Sequence, residues 1–114
     1  MSNQKKVDEN VLEVPPVSKT GTYNWTITLS ELQGHCVLTW NTDAPFRAQQ
    51  GQVHLYKNAF PSNPQEATIA WTWDDNKQQP FDTGQPWGSG WCAAWIAQQS
   101  TGPYTYVVKT PVTQ

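Results

Sequence analysis

The stretch Ile69-Ala70-Trp71-Thr72-Trp73, followed by the polar segment Asp74–Gly90 and then by Trp91-Cys92-Ala93-Ala94-Trp95-Ile96, decides the fold. The two apolar segments have the length of strands, and the whole stretch holds five of the seven tryptophans. Apolar residues alternate with small or polar ones through residues 67–73, a period of two that is typical of a half-buried β-strand. Residues 91–97 have no polar face, which predicts a central strand covered on both sides.

Four further segments show the same alternation, and Gly, Pro and Asn residues separate them. They are residues 22–30, 35–40, 52–56 and 104–109. No segment of useful length has a helical period. We therefore expect an all-β protein, an antiparallel β-sandwich of immunoglobulin-like or jelly-roll type with six strands. The N-terminal arm or the long polar segment could add a seventh.

The length of 114 residues fits one domain. Residues 1–20 are polar and include Pro15-Pro16, which predicts a flexible or extended N-terminal arm. The β-sandwich domain is then residues 21–114. From the inward positions of each strand we predict a core that contains Trp25, Leu38, Val53, Ile69, Trp71, Trp95 and Val108.

Charge and hydropathy exclude several classes of partner. Charged residues make up 14% of the chain and the net charge is -2, so the basic surface of a nucleic-acid-binding protein is missing and we expect no nucleic-acid partner. No apolar run approaches the ~20 residues that span a bilayer. No apolar segment follows the N-terminus as a signal-peptide core would, which predicts a cytoplasmic protein or one exported without a classical signal peptide.

Catalytic and metal-binding motifs are weak. The chain has two histidines, His35 and His54, and no G-x-S-x-G sequence to mark a nucleophile, so we expect no enzyme. Cys36 and Cys92 lack the spacing of a zinc site and read as buried free thiols. The acidic residues after Trp73 could offer oxygen ligands to Ca²⁺, but they fit turns that bond their own backbone as well. We predict no metal and no cofactor.

The excess of tryptophan around a polar segment favours carbohydrate binding. Sugar rings stack their C–H faces on aromatic side chains, and their hydroxyl groups need planar polar partners. We therefore predict a lectin-like domain that binds a glycan. Stacking is assigned to Trp73, Trp87 and Trp91, and hydrogen bonding to Asp75, Asn76 and Gln85. This site requires that both ends of the segment 74–90 lie at the same edge of the sandwich.

Two alternatives remain open at this point. Exposed aromatic loops could contact a membrane surface, as in a cytolysin-like or toxin-like β-sandwich, because Trp and Tyr favour the bilayer interface. The aromatic residues could instead be buried in a structural or self-assembling protein that binds no ligand. A homo-oligomer is expected for a lectin, because several copies of a weak site gain affinity through avidity.

Overall fold

The computed structural model describes residues 23–99 and 102–114, and seven β-strands account for most of this part of the chain. The strands are β1 (Trp25–Leu32), β2 (His35–Thr42), β3 (Gln52–Lys57), β4 (Ala70–Trp73), β5 (Phe81–Pro86), β6 (Trp91–Gln98) and β7 (Tyr104–Lys109). The predicted arm, residues 1–20, lies outside the described residues. Across the ranges that are described, no helix has the length and apolar character needed to cross a membrane.

The strands form two antiparallel sheets. One sheet has the order β1-β2-β5 and the other has the order β4-β3-β6-β7. The predicted all-β sandwich is therefore confirmed. In the immunoglobulin sandwich the first, second and fifth strands also face the third, sixth and seventh. The distribution of strands thus fits the immunoglobulin-like alternative, with β4 at the free edge beside β3.

The core between the sheets is built on three tryptophans. Trp25 on β1, Trp40 on β2 and Trp95 on β6 are buried together with Leu38 and Val53. Val108 on β7 packs against this group, beside a register shift between Trp95 and Ile96. Five of the seven predicted core residues therefore lie as expected: Trp25, Leu38, Val53, Trp95 and Val108.

The predicted inward face of β4 is wrong. Ile69 and Trp71 are among the most exposed apolar side chains, and Trp71 is 41% exposed. The opposite face points inward instead, with Ala70 paired with Leu55 and packed against the core residues around it. Ala70 contacts the buried side chains Cys36, Leu55 and Trp91, and close packing against them leaves room only for a small side chain at this position of the edge strand.

The polar segment 74–90 is not one loop, because it contains β5. Among the described strands this one pairs with β2 alone and lies at an edge of its sheet, so its sequence, Phe-Asp-Thr-Gly-Gln-Pro, carries few apolar residues. The chain thus leaves one sheet after β4, crosses the other sheet along β5, and returns in β6. This path separates the two ends of the segment.

The central position predicted for residues 91–97 is confirmed, since β6 lies between β3 and β7 and is buried from Trp91 to Ala97. Cys36 and Cys92 are buried free thiols, as expected. Burial raises the pKa of both thiols, which keeps them protonated and unreactive at neutral pH.

Candidate ligand-binding site

A pocket of about 370 Å³ opens at the end of the sandwich where β1 begins and β2 ends. We call this end the pocket end. Its walls combine aromatic side chains from both sheets, Trp25, Trp40 and Trp95, with Phe46 from the loop between β2 and β3. Polar side chains from that loop and from the segment after β4 complete the lining.

The aromatic walls are held in fixed orientations by contacts with one another. The rings of Trp25 and Trp95 meet edge to face with centroids 4.9 Å apart. The Phe46 ring lies 6.1 Å from that of Trp25 at an angle of 53°. All three side chains are more than nine-tenths buried, so they present limited parts of their rings to the pocket. Such packing makes a preformed apolar surface, which is the usual character of a small-molecule site.

Asp74 is the polar centre of the pocket. One carboxylate oxygen accepts a hydrogen bond of 2.6 Å from Arg47 Nε, and the other accepts one of 3.1 Å from Trp95 Nε1. Its backbone carbonyl accepts a 2.8 Å hydrogen bond from Trp40 Nε1. The Asp74 side chain is only 3% exposed. Two core indoles and one guanidinium are thus fixed by a single residue, which satisfies buried donors that are costly to leave without a partner.

Arg47 and Asp75 form the outer, solvent-facing part of the pocket. Only Nε of Arg47 is used by Asp74, and Arg47 Nη1 lies 3.7 Å from Asp75 Oδ2, beyond direct hydrogen-bond length. The Asp75 side chain is 64% exposed. The mouth therefore carries several guanidinium donors and one carboxylate acceptor that a bound molecule could reach.

The predicted site residues do not come together. Trp73 pairs with Gln52 at the start of β3, whereas Trp91 pairs with Lys57 at its end, so the two lie at opposite ends of the sheet. Asp75 and Asn76 follow Trp73 at the pocket end, while Gln85 and Trp87 accompany Trp91. The condition that both ends of segment 74–90 share an edge is wrong, because β5 runs between them.

Three of these residues have structural contacts. Trp91 is buried, donates a 3.0 Å hydrogen bond from Nε1 to the Pro86 carbonyl, and is covered by Lys57 Nζ, which lies 4.0 Å from its ring centroid. Asn76 closes a turn, since its amide donates to Thr72 Oγ1 and accepts from the Gln78 backbone. Gln85 is half-buried on β5. Trp73, Asp75 and Trp87 remain accessible, but Trp87 is far from the other two.

Beside the pocket end, a row of exposed apolar side chains follows the outer face of β4: Ile69, Trp71 and Trp73. The Trp71 ring stacks on His54 at 5.6 Å and 13°, and its other contact is Trp73, at 5.2 Å and 79°. His54 stacks in turn on Tyr56 at 5.8 Å. We call Trp71 and Trp73 the aromatic row.

His54 is a neutral structural residue behind the aromatic row. It lies on the same face of β3 as Gln52 and Tyr56, and it is 2% exposed, with Trp71 stacked on its ring. Its ring nitrogens contact Thr68 Oγ1 at 2.8 Å and Gln52 Oε1 at 2.7 Å. Burial lowers the pKa of His54 to about 4, so the imidazole is uncharged at neutral pH.

The second histidine is remote from the pocket. His35 Nδ1 lies 3.0 Å from Asp82 Oδ1, and both side chains are exposed. The pKa of Asp82 is lowered by the hydrogen bond from the Gly84 backbone and by His35. In residues 23–99 and 102–114 no three His, Cys, Asp or Glu side chains cluster closely enough to hold a metal ion.

Sequence reasoning missed the centre of this pocket. The sequence predicts Trp25 and Trp95 as core residues and Asp74 as a turn residue, and it contains no pattern that brings Phe46 and Arg47 to the same end of the sandwich. One signal was available: each core indole needs an acceptor for its N–H, and Asp74 is the first carboxylate after the Trp-rich strand. The pairing of that carboxylate with Arg47 depends on topology.

Comparison of the chain with protein-family models, with curated proteins and with solved structures finds no match.

Proposed function

We propose that this protein is a non-catalytic, lectin-like carbohydrate-binding domain and that the pocket at the pocket end is its site. The observation that carries the proposal is the arrangement of aromatic walls around a charged pair whose outer groups face the mouth. A sugar needs both surfaces, because its C–H face is apolar while its hydroxyl groups donate and accept hydrogen bonds.

The groups at the mouth match hydroxyl chemistry. A hydroxyl group both donates and accepts, so it can accept from the Arg47 guanidinium and donate to the Asp75 carboxylate. Asp74 already binds Arg47 and Trp95, and its role is to hold these side chains in place. Preorganised side chains lose little entropy when a ligand binds, which favours affinity at a small site.

The contacts of both histidines support a role without catalysis. His54 is buried with both ring nitrogens engaged, and His35 is paired with Asp82. Neither borders the pocket. An acid–base reaction that used a histidine would need its imidazole at the pocket, whereas binding without chemical change does not.

Titration calorimetry with neutral monosaccharides (glucose, galactose, mannose and N-acetylglucosamine) tests this proposal. We expect at least one to bind, and Asp75→Asn to weaken its binding about tenfold through loss of a charge-assisted hydrogen bond. Asp82→Asn is the matched control, since Asp82 is similarly exposed, at 60%, and lies outside the pocket. Binding that is equally reduced by both substitutions, or no binding by any sugar in the panel or by its short oligosaccharides, would contradict the proposal.

A further inference from the structure

The size of the pocket limits what it can hold. Its volume of about 370 Å³ lies near the lower end of the range for ligand pockets, which is roughly 300–1,000 Å³. A single sugar ring fits this range, whereas an oligosaccharide must continue outside the pocket. The further sugar residues of an oligosaccharide would leave the pocket at its mouth, where Asp75 is exposed.

Trp73 lies next to this mouth. It stands two residues before Asp75 in the chain, so their Cα atoms are at most about 7.6 Å apart. Its side chain is 41% exposed at the end of β4, and it points to the outer face of the sheet that the chain leaves at Asp74. A ligand that continues past Asp75 towards the outer face of this sheet would reach the Trp73 ring.

The exposed ring of Trp73 is supported from behind. It contacts Trp71, which is stacked on His54, and His54 is held by Gln52 through a 2.7 Å hydrogen bond. Gln52 donates in turn to the Tyr104 hydroxyl at 3.0 Å. This series of contacts fixes the aromatic row on a buried polar network. A rigid, exposed ring costs little entropy on binding, which distinguishes it from an aromatic side chain on a mobile loop.

The charge of the pocket wall limits the sugars it favours. Its ionisable groups are one guanidinium, Arg47, and two carboxylates, Asp74 and Asp75. With Arg47 flanked by both acids, a negatively charged sugar would meet a site with a small excess of negative charge, and like charges repel. Neutral sugars carry no such penalty.

Resting on the proposed function, we infer that the site is extended: the pocket holds one residue of a neutral oligosaccharide and Trp73 stacks against the next. The ligand class is then a neutral glycan chain of two or more residues rather than a free monosaccharide. Trp71 is not assigned to the site, because it stands two residues farther along β4 from the mouth and one face of its ring is stacked on His54.

Calorimetry of the full chain with glucose, galactose, mannose and N-acetylglucosamine, each beside its linear di- and trisaccharide, tests the inference. For the sugar that binds, we expect the disaccharide to bind at least about tenfold more tightly than the monosaccharide. Trp73→Ala should abolish this gain and leave the monosaccharide affinity within about twofold. Trp73→Leu keeps apolar bulk without a flat ring, and it should also lose the gain while keeping the monosaccharide affinity. Agreement between the two variants would show that the loss does not come from a folding defect.

Trp87→Ala is the matched control, because Trp87 is also 41% exposed but lies at the opposite end of the sandwich. It should leave the gain with chain length unchanged. Monosaccharide binding with no gain from the second residue, or a gain that survives in Trp73→Ala, overturns the extended site while the proposed function stands. The absence of binding by every sugar overturns both. Binding to neutral phosphatidylcholine vesicles that Trp73→Ala abolishes, without any sugar effect, assigns the aromatic row to a membrane and also overturns the inference.

Discussion

Gly51 and Asp74 approach each other so closely that a side chain at position 51 would have to displace the Asp74 carboxylate or the loop. A Cβ atom at Gly51 would lie 1.9 Å from Asp74 Oδ2, and the Asp74 backbone N–H donates a 2.9 Å hydrogen bond to the Gly51 carbonyl. The glycine thus lets the loop between β2 and β3 close against the carboxylate that fixes Arg47 and Trp95. This contact joins the two segments from which the polar part of the pocket is built.

Gly51→Ala should therefore disturb both the fold and the pocket. The added methyl group must displace the Asp74 carboxylate or the loop, and we expect a loss of about 2 kcal/mol in the free energy of unfolding, measured by urea denaturation. Gly88→Ala is the control, because a Cβ there meets no atom within 4 Å. Equal stability of the two variants would show that the loop yields freely and that the close contact is unimportant.

The neighbouring carboxylates Asp74 and Asp75 should differ sharply in their effect on stability. Asp74→Asn replaces one of the two oxygens that accept from Arg47 and Trp95 with a donor, and it removes the negative charge that faces the guanidinium. We expect a cost of about 3 kcal/mol for Asp74→Asn and less than about 0.5 kcal/mol for Asp75→Asn. Thermal unfolding of the two variants beside the unchanged protein measures the difference. Similar melting temperatures would refute the central role of Asp74.

The orientation of β4 can be tested with two tryptophans. Trp95→Ala removes a buried side chain and should lower the free energy of unfolding by about 3–5 kcal/mol. Trp71→Ala removes an exposed one and should cost about 1 kcal/mol, chiefly through its contact with His54. Chemical denaturation of both variants gives the comparison. A larger loss for Trp71→Ala would mean that β4 turns its tryptophans into the core after all.

Stability should fall in mild acid because of His54. Its pKa is lowered to about 4 in the folded protein, whereas an unfolded histidine titrates near 6.5. The unfolded state therefore binds the proton first, so the stabilisation is complete above about pH 6.5 and is lost as the pH falls towards 4. From pH 7.5 to pH 5 we expect a loss of about 2 kcal/mol.

This pH dependence should vanish in His54→Gln, which cannot take up a proton. Urea denaturation at pH 7.5, 6 and 5 measures the effect in a range above the titration of most carboxylates. A flat profile for the unchanged protein would contradict the burial of a neutral His54. A slope that persists in His54→Gln would assign the effect to another group.

The sequence predicts the strands well and their environment less well. Alternation locates β1, β2, β3 and β7 because each has an apolar face that must be buried, and the lack of a polar face locates β6. Alternation misplaces Trp71 because both faces of β4 are compatible with a strand, and the choice depends on the volume that Cys36, Leu55 and Trp91 already occupy. The sequence leaves the seventh strand open between the N-terminal arm and the long polar segment, because an edge strand such as β5 does not need an apolar face.

The candidate site is predicted only in part. The composition around the end of β4 draws attention to Trp73 and Asp75, since a tryptophan beside polar residues is a local pattern, and the structure shows both side chains exposed. The pocket itself joins Arg47, 27 positions earlier in the chain, to Asp74 and to indoles from both sheets. Such a junction follows from the order of strands, which no local pattern determines.

The most direct test of the binding site is a ¹H–¹⁵N correlation spectrum of the indole N–H groups during titration with a neutral disaccharide that binds. The seven tryptophans give at most seven indole signals, which single substitutions to phenylalanine assign. We predict that the signals of Trp40, Trp95 and Trp73 shift with a common dissociation constant, while those of Trp87 and Trp91 do not. Shifts confined to Trp87, or saturation of binding with the pocket indoles unmoved, would contradict the assignment of the site to the pocket end.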